Sequence, residues 1–281
     1  MILDMIELPD YCQIWDETYA LALEGKLNSG DTEDSFWSNQ ENVDRFVKHL
    51  LDKKGGRIED NIASMNIPPG STVLDIGAGP GTLAVPLACA GCQVTTIEPS
   101  IPMGKAMEDY RQHMQAPKIS EIRKRWENVT PKEAGLHDYV IASRSLMFGN
   151  LRENMLKMDG AARKAVHIYW YLTSKSSSWG HEDLWQSLHG KPYHSAPNAT
   201  VLWNALNQLD IYANINLKTE KNGHLYSSVS DMQEDYYGRL SATEPWQKEI
   251  VNAYLENTIE KTDAGIRVPS TSYLAHIWWE K

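Results

Sequence analysis

The sequence has few cysteines and no long apolar run. Three cysteines, Cys12, Cys89 and Cys92, occur in 281 residues, and a small odd number predicts no disulfide framework. No stretch reaches the roughly 18 consecutive apolar residues of a transmembrane helix. The N-terminus carries Asp4 and Glu7 where a signal peptide would have cations and an apolar core. A cytoplasmic protein that does not contact a membrane is therefore expected.

Basic residues are too few to balance the acidic ones. The chain has 37 Asp and Glu against 27 Lys and Arg, which gives a net charge of −10. Nucleic-acid binding draws on clustered cations that face phosphates, so a nucleic-acid partner is not expected. The hydrophobic fraction of 42% is that of an ordinary globular protein. At roughly 150 residues per domain, the length allows one large domain or two small ones.

Short apolar runs alternate with helical patterns between residues 67 and 175. The runs predict strands at 71–76, 92–97, 119–125, 139–143 and 165–171, and helices at 82–90, 102–114 and 151–162. This alternation indicates right-handed crossovers and a parallel sheet with helices on both faces. Two further strands are predicted near the C-terminus. In 211–217 apolar and polar residues alternate, which predicts a half-buried strand with one apolar face (Ile211, Ala213, Ile215, Leu217), and 273–279 is the last strand.

These elements define an α/β fold class with a doubly wound, mostly parallel sheet. Five parallel strands and a terminal pair give a seven-stranded sheet whose last strand is antiparallel. Residues 1–66 are polar, and their helical spacing predicts an N-terminal helical cap. Residues 67–281 form the main domain, and residues 218–270 are predicted to be a helical insertion before the last strand.

The most informative segment is a glycine-rich turn after the first predicted strand. Residues 73–82 read VLDIGAGPGT, with glycines at alternate positions, Gly77, Gly79 and Gly81. Glycine allows positive φ and lets a ligand approach the backbone closely. In open α/β sheets, ligands bind outside the carboxyl ends of the strands. The turn lies at such an end and is therefore a predicted ligand site.

The glycine spacing departs from the dinucleotide fingerprint G-x-G-x-x-G. Counted from Gly77, the third glycine should stand at position 82, which is Thr82, but it stands at Gly81. Asp75 ends the strand two residues before the first glycine. A carboxylate there suits a cationic ligand group and would repel a pyrophosphate. The turn therefore favours a ligand with an ammonium or sulfonium group, and an NAD-dependent oxidoreductase on a similar sheet is the alternative.

An acidic residue also ends the second predicted strand. Glu98, followed by Pro99, stands 21 residues after Gly77, where a carboxylate can accept hydrogen bonds from both ribose hydroxyls. Dinucleotides and adenosyl ligands share this feature, so it does not separate them.

Together these motifs resemble those of the class I S-adenosylmethionine-dependent methyltransferases, which have a Rossmann-like fold. VLDIGAGPG is similar to their first motif and IEPS to their acidic ribose-binding strand end. The resemblance covers about residues 67–171, and 211–217 with 273–279 fits the terminal antiparallel strands of that fold. It implies S-adenosylmethionine (SAM) as the cofactor and in-line transfer of a methyl group to a small-molecule acceptor. It also implies that the cap and the insertion lie over the active site.

The resemblance also assigns roles to individual residues. Asp75 and the turn (Gly77, Ala78, Gly79, Gly81) are expected to hold the methionine part, and Glu98 with Pro99 the ribose. Trp126 and Glu127 follow the third strand, where the family contacts adenine. Because Trp126 replaces a common acidic residue, either Glu127 reads the adenine amine or the adenine rests beside Trp126. Ser143 and Arg144 follow the fourth strand and are expected to line the sulfonium end.

The acceptor and the chemistry at its side are left open. Aromatic side chains could line a substrate chamber (Trp37, Trp170, Tyr171, Trp179, Trp185 and Tyr193). No catalytic residue is assigned, although four side chains are conceivable bases (His167, Tyr171, His181 and His194). The histidines lack metal-ligand spacing, so no metal site is predicted. A protein acceptor, and a non-catalytic SAM-binding or regulatory protein, remain alternatives.

Overall fold

A computed structural model describes residues 8–27, 35–52, 57–172, 180–263 and 265–281. The helices are α1 (Tyr11–Leu27), α2 (Ser35–Ser38), α3 (Gln40–Asp52), α4 (Arg57–Met65), α5 (Ala84–Cys89), α6 (Ile101–His113), α7 (Pro131–Ala134), α8 (Leu151–Gly160), α9 (His181–His189), α10 (Ala199–Gln208), α11 (Val229–Arg239) and α12 (Pro245–Thr258). The strands are β1 (Thr72–Ile76), β2 (Gln93–Ile97), β3 (Ser120–Ile122), β4 (His137–Ser143), β5 (Ala162–Tyr171), β6 (Asn214–Tyr226), β7 (Glu260–Thr262) and β8 (Gly265–Glu280). Across these ranges, no helix has the length and apolar character needed to cross a membrane.

One mixed sheet joins the strands in the order β3-β2-β1-β4-β5-β8-β6. Strands β1 to β5 pair in parallel, whereas β8 pairs antiparallel with both β5 and β6. The predicted doubly wound sheet with an antiparallel last strand is confirmed. The short strand β7 is added beside β8. Strand order reverses between β1 and β4, which places the expected ligand crevice at the carboxyl ends of these two strands.

Helices cover both faces of the sheet because alternate strand residues point to opposite sides. On one face, strand residues such as Leu74 and Ile168 pack with buried side chains of α1, α8 and α10. On the other face, Val73 and Ile141 pack with side chains of α4, α5 and α6. These two cores fix β1, β2 and β4 rigidly, so their carboxyl ends form a stable platform.

Strand β6 corrects the prediction for residues 211–217. Ile211 is buried but precedes the strand, which begins at Asn214. Ile215 and Leu217 are 38% and 58% exposed, so the predicted half-buried face is wrong for these two residues. The reason is that neither side chain belongs to an apolar core of the described residues, because β6 lies at the end of the strand order, away from the helices that cover the parallel strands.

The predicted helical insertion at 218–270 is strand at both of its ends. Residues up to Tyr226 continue β6, and β8 begins at Gly265, so helix is confined to α11 and α12. Pairing of β8 with β5 ends at Tyr171 opposite Leu274, but its pairing with β6 continues to Tyr226 opposite Ile266. The β6–β8 ribbon therefore extends beyond the carboxyl edge of the parallel strands.

A third apolar core holds α9, α11 and α12 against this ribbon. On α11, the carboxylate of Asp235 is bonded by Arg239 and by Arg45 of α3, at N–O distances of 3.1 and 2.9 Å. Burial alone would raise the pKa of Asp235, but Arg239, the Tyr226 hydroxyl and Arg45 together lower it. Helix α3 is thus bonded to the ribbon and its helices at the carboxyl edge of the sheet.

Candidate functional site

A cavity of about 290 Å³ opens at the carboxyl ends of β1, β2 and β4. Its wall combines the glycine turn, the ends of β2, β3 and β4, and side chains from α2, α3 and α6. The lining residues are Trp37, Phe46, Ile76, Gly77, Ala78, Gly79, Pro80, Thr82, Ile97, Glu98, Pro99, Met103, Arg125, Trp126, Glu127, Ser143, Arg144, Ser145, Met147 and Phe148. The cavity lies at the topological switch point, where such sheets bind ligands.

Most of the predicted site residues meet around this one cavity. Nine of the eleven line it: Gly77, Ala78, Gly79, Glu98, Pro99, Trp126, Glu127, Ser143 and Arg144. The other two, Asp75 and Gly81, do not line it. Asp75 lies at the end of β1 directly before the lining residues Ile76 and Gly77, and Gly81 packs against Val85 of α5 and Met107 of α6.

Each glycine of the turn is required for a different reason, although all three have positive φ. Gly77 has φ of 68°, and a Cβ there would lie 2.3 Å from the Cβ of Ser145. Gly81 has φ of 79°, and a Cβ would lie 2.6 Å from Cγ of Met107. Around Gly79, with φ of 55°, no atom of the described residues other than its chain neighbours lies within 4 Å of the Cβ position. The backbone at Gly79 is therefore open toward the cavity.

Glu98 ties the glycine turn to the end of β2. Its Oε2 accepts a hydrogen bond from the amide of Gly79 at 2.8 Å, and its Oε1 accepts one from the amide of Ser100 at 2.9 Å. Burial raises the pKa of Glu98, and these two hydrogen bonds oppose the rise. A carboxylate oxygen has two lone pairs, so each oxygen can still accept from a ligand hydroxyl.

Asp75 is a buried carboxyl group near the end of β1. It is 2% exposed, and the described residues provide no hydrogen bond to it. Burial, followed by the negative charge of Glu98, raises the pKa of Asp75 to about 7. An ionised carboxylate without a partner is costly to bury. The group is therefore suited to a cation supplied from outside the protein.

A half-buried lysine fixes the 3₁₀ turn Trp126–Asn128 that follows β3. The Nζ of Lys157 on α8 donates hydrogen bonds to the carbonyl oxygens of Trp126 at 2.7 Å and Val129 at 3.1 Å. The same Nζ lies 4.3 Å from the centroid of the Trp126 ring. Trp126 is 3% exposed, and its Nε1 has no hydrogen-bond partner in the described ranges. Burial lowers the pKa of Lys157.

The predicted aromatic chamber is only partly assembled. Trp37 lines the cavity with Phe46, their ring centroids 5.0 Å apart. Trp170 is buried elsewhere and donates to the carbonyl of Pro197. Trp185 and Tyr193 contact each other near α9, and Trp179 lies outside the described residues.

None of the four conceivable bases lines the cavity. They are His167, Tyr171, His181 and His194. His167 is buried and hydrogen-bonded to His276, and His181 is bonded to the carbonyl oxygen of Arg239. The structure therefore leaves the catalytic base unassigned.

Several lining residues were not predicted from the sequence. Phe46 lies in α3, within the segment for which the sequence predicts a helical cap but no role for Phe46 in the site. Met147 and Phe148 follow β4 in a stretch that lacks a motif. Ser145 directly follows the predicted pair Ser143 and Arg144, but its contacts were not predicted: its hydroxyl donates to the carbonyl of Ile76 at 2.6 Å, and its Cβ abuts Gly77.

Comparison with known proteins is informative mainly for the fold. No family model matches the chain. An uncharacterised protein of Haemophilus influenzae is 29% identical over 205 residues, which is 71% of this chain and 74% of that protein. A Bacillus halodurans protein proposed to be a methyltransferase has a TM-score of 0.57 at 11% identity and covers 81% of this chain and 99% of its own.

Two more solved structures share the architecture. The YcgJ protein of Bacillus subtilis has a TM-score of 0.54 at 13% identity, covering 80% of this chain and 97% of its own. Coclaurine N-methyltransferase bound to N-methylheliamine and SAH has a TM-score of 0.51 at 13% identity, covering 98% of this chain and 95% of its own. The chain therefore has the Rossmann-like fold of the class I methyltransferases, and the resemblance drawn from the sequence is confirmed for the fold.

Proposed function

We propose that the protein is a SAM-dependent methyltransferase that acts on a small-molecule acceptor. The observation that carries the proposal is the buried carboxyl group of Asp75, to which the described residues provide no hydrogen bond, directly before a glycine turn that is open at Gly79. This arrangement fits the ammonium and the amino-acid backbone of a methionine tail. A solved methyltransferase of the same fold, coclaurine N-methyltransferase, contains SAH (S-adenosylhomocysteine).

The other parts of the cavity suit the rest of the cofactor. Glu98 can accept from the ribose hydroxyls through its remaining lone pairs, with Pro99 beside it. Trp126 and Glu127 provide a buried aromatic ring and a carboxylate for the adenine. Ser143 and Arg144, at the end of β4, are assigned to the sulfonium end. In this proposal Gly81 acts through the shape of the turn, because it does not line the cavity.

Bound SAM would supply an electrophilic methyl group on a positively charged sulfur. The protein's contribution is alignment and the exclusion of water. Trp37 and Phe46 from α2 and α3 cover the cavity with apolar surface. We infer that the cap (1–66) and the insertion (218–270) border the acceptor, since Arg45 of α3 is bonded to Asp235 of α11 near this edge.

A thermal-shift comparison of SAH with NAD separates the proposal from the oxidoreductase alternative. We expect SAH to raise the melting temperature and NAD to leave it unchanged. Stabilisation by NAD and not by SAH would overturn the proposal. Transfer of labelled methyl from SAM into a metabolite extract tests catalysis, and binding of SAH with no transfer to a metabolite or protein extract would instead favour a non-catalytic SAM-binding protein.

Lys157→Met is expected to weaken SAH binding about fivefold, because the turn that carries Trp126 loses a cation bonded to its carbonyl oxygens. The measurement is a titration of the variant with SAH beside one of Lys132→Met, which removes an exposed lysine of α7. Equal affinity in the two variants, with only the melting temperature of Lys157→Met lowered, would show that Lys157 stabilises the fold without shaping the site.

A further inference from the structure

Arg144 is a cation in the cavity wall whose countercharge lies outside the wall. Its Nη2 is 2.7 Å from Oε1 of Glu220 on β6, and Glu220 does not line the cavity. Both side chains are largely buried, 20% and 11% exposed. Arg144 thus brings a cation into the wall of the cavity, and the carboxylate that is paired with it stands outside the wall.

The other charged groups of the wall are already matched within it. Glu98 accepts two backbone hydrogen bonds. Arg125 and Glu127 both line the cavity and are paired with each other at 3.1 Å. Arg144 differs, because Nη2 is the only guanidinium nitrogen for which the described residues provide a hydrogen-bond partner. A guanidinium has five donor hydrogens, so donors remain for a ligand.

The backbone holds Arg144 in place before any ligand arrives. Its φ is 59°, a conformation that is uncommon for a residue with a side chain. Its amide donates to the carbonyl of Tyr169 at 2.9 Å, and its guanidinium lies 6.0 Å from the ring centroid of Tyr171. A strained conformation fixed from three sides is typical of functional positions.

We propose that Arg144 binds a carboxylate group in the cavity, with Glu220 as the positioning residue that orients its guanidinium. The planar fork of arginine matches a carboxylate in two parallel hydrogen bonds. The proposal rests on the proposed function and adds a ligand group to it. The carboxylate has two possible sources, the amino-acid tail of the cofactor or the methyl acceptor.

Arg144→Gln removes the charge and keeps a polar side chain, and titration with SAH and 5′-methylthioadenosine tests the first source. If the carboxylate belongs to the cofactor, SAH binding falls by about tenfold or more. Binding of 5′-methylthioadenosine, which has no amino-acid tail, then stays within about twofold of the parent value. Arg163→Gln, an exposed arginine, is the matched control and should change neither ligand.

The second source is tested on protein saturated with SAH. If the carboxylate belongs to the acceptor, Arg144→Gln leaves the ratio of SAH to 5′-methylthioadenosine affinity at the parent value. Benzoate then stabilises the SAH-loaded parent more than benzamide does, and this preference disappears in Arg144→Gln. Glu220→Gln should keep the preference but weaken it, because the fork is less firmly oriented. Melting temperatures of all variants without ligand show whether they fold, and Arg144→Lys, which keeps the charge, replaces Arg144→Gln if it does not.

Suppose that the parent binds SAH, and that the Arg144 variant has the same ratio of SAH to 5′-methylthioadenosine affinity as the parent and the same preference for benzoate over benzamide. The inference is then wrong. A parent that does not bind SAH contradicts the proposed function itself and this inference with it. The two failures are therefore distinguished by the titration of the parent alone.

Discussion

Gly77→Ala is expected to lower the free energy of unfolding by about 3 kcal/mol, whereas Gly79→Ala lowers it by about 1 kcal/mol. Both substitutions force alanine into a positive φ. They differ in space, since the new methyl group at position 77 would lie 2.3 Å from Cβ of Ser145, while at position 79 no atom lies within 4 Å. The larger loss of stability expected for Gly77→Ala is the free-energy cost of displacing Ser145 and the segment that follows β4.

Urea unfolding of the two variants and the parent measures this difference. The pair is a matched control, because the side-chain change is the same and both residues have a φ in the left-handed region. Gly79→Ala is expected to fold but to bind SAH weakly, because its methyl group projects into open space beside the cavity. Equal losses of stability in the two variants would contradict the close approach of Gly77 to Ser145.

Asp75→Asn is expected to weaken SAH binding by roughly 10- to 100-fold, which corresponds to about 1.5–3 kcal/mol for a hydrogen bond to a charged group. The substitution keeps the shape of the side chain and removes the negative charge that would bind the ligand's ammonium. The protein without ligand should be at least as stable as the parent at pH 8, because no ionised carboxylate then has to be buried. Loss of affinity without loss of stability is typical of a binding residue.

The carboxyl group of Asp75 also makes the stability and the SAH affinity of the parent depend on pH. The pKa of Asp75 in the folded protein is about 7, well above its ordinary value, so the folded state binds the proton more tightly than the unfolded state does. The contribution of Asp75 to stability is therefore fully present at low pH and is lost as pH rises toward 7. SAH affinity should change in the opposite sense and fall as pH is lowered from 7 to 5.

Titration of the parent and Asp75→Asn at several pH values, with melting temperatures measured without ligand, tests both signs. In the Asn variant, both the melting temperature and the SAH affinity should depend less on pH, because the contribution of Asp75 is missing. An Asp75→Asn protein that binds SAH like the parent at every pH would remove Asp75 from the site.

The sequence predicted the parallel part of the sheet because its signals are local. Buried runs such as 71–76 are bounded by Pro and Gly, and each is followed by a helical pattern. The β6–β8 ribbon could not be read in this way. Its residues 218–226 are polar, and they form a strand because β8 pairs along their whole length. Burial of Ile215 and Leu217 was predicted from alternation alone, which carries no information about the sheet edge.

The candidate site also combines residues that local sequence signals predict with residues that only long-range contacts bring to it. Asp75, the glycines and Glu98 could be predicted because they follow strand ends, and strand ends of a parallel sheet meet at one edge. The contacts of Ser145, Lys157 and Glu220 could not, since each joins segments that are distant in sequence. The ion pair of Arg144 with a carboxylate outside the cavity wall also becomes visible only in the folded structure.

The central claim is that Asp75 and the open glycine turn hold the methionine tail of a SAM-type ligand. A crystal structure of the protein with SAH tests it most directly. We expect the ligand's ammonium to be hydrogen-bonded to Asp75, directly or through one water, and the ribose hydroxyls to lie on Glu98. Density for SAH elsewhere, or a turn region filled by the protein's own side chains, would contradict the account.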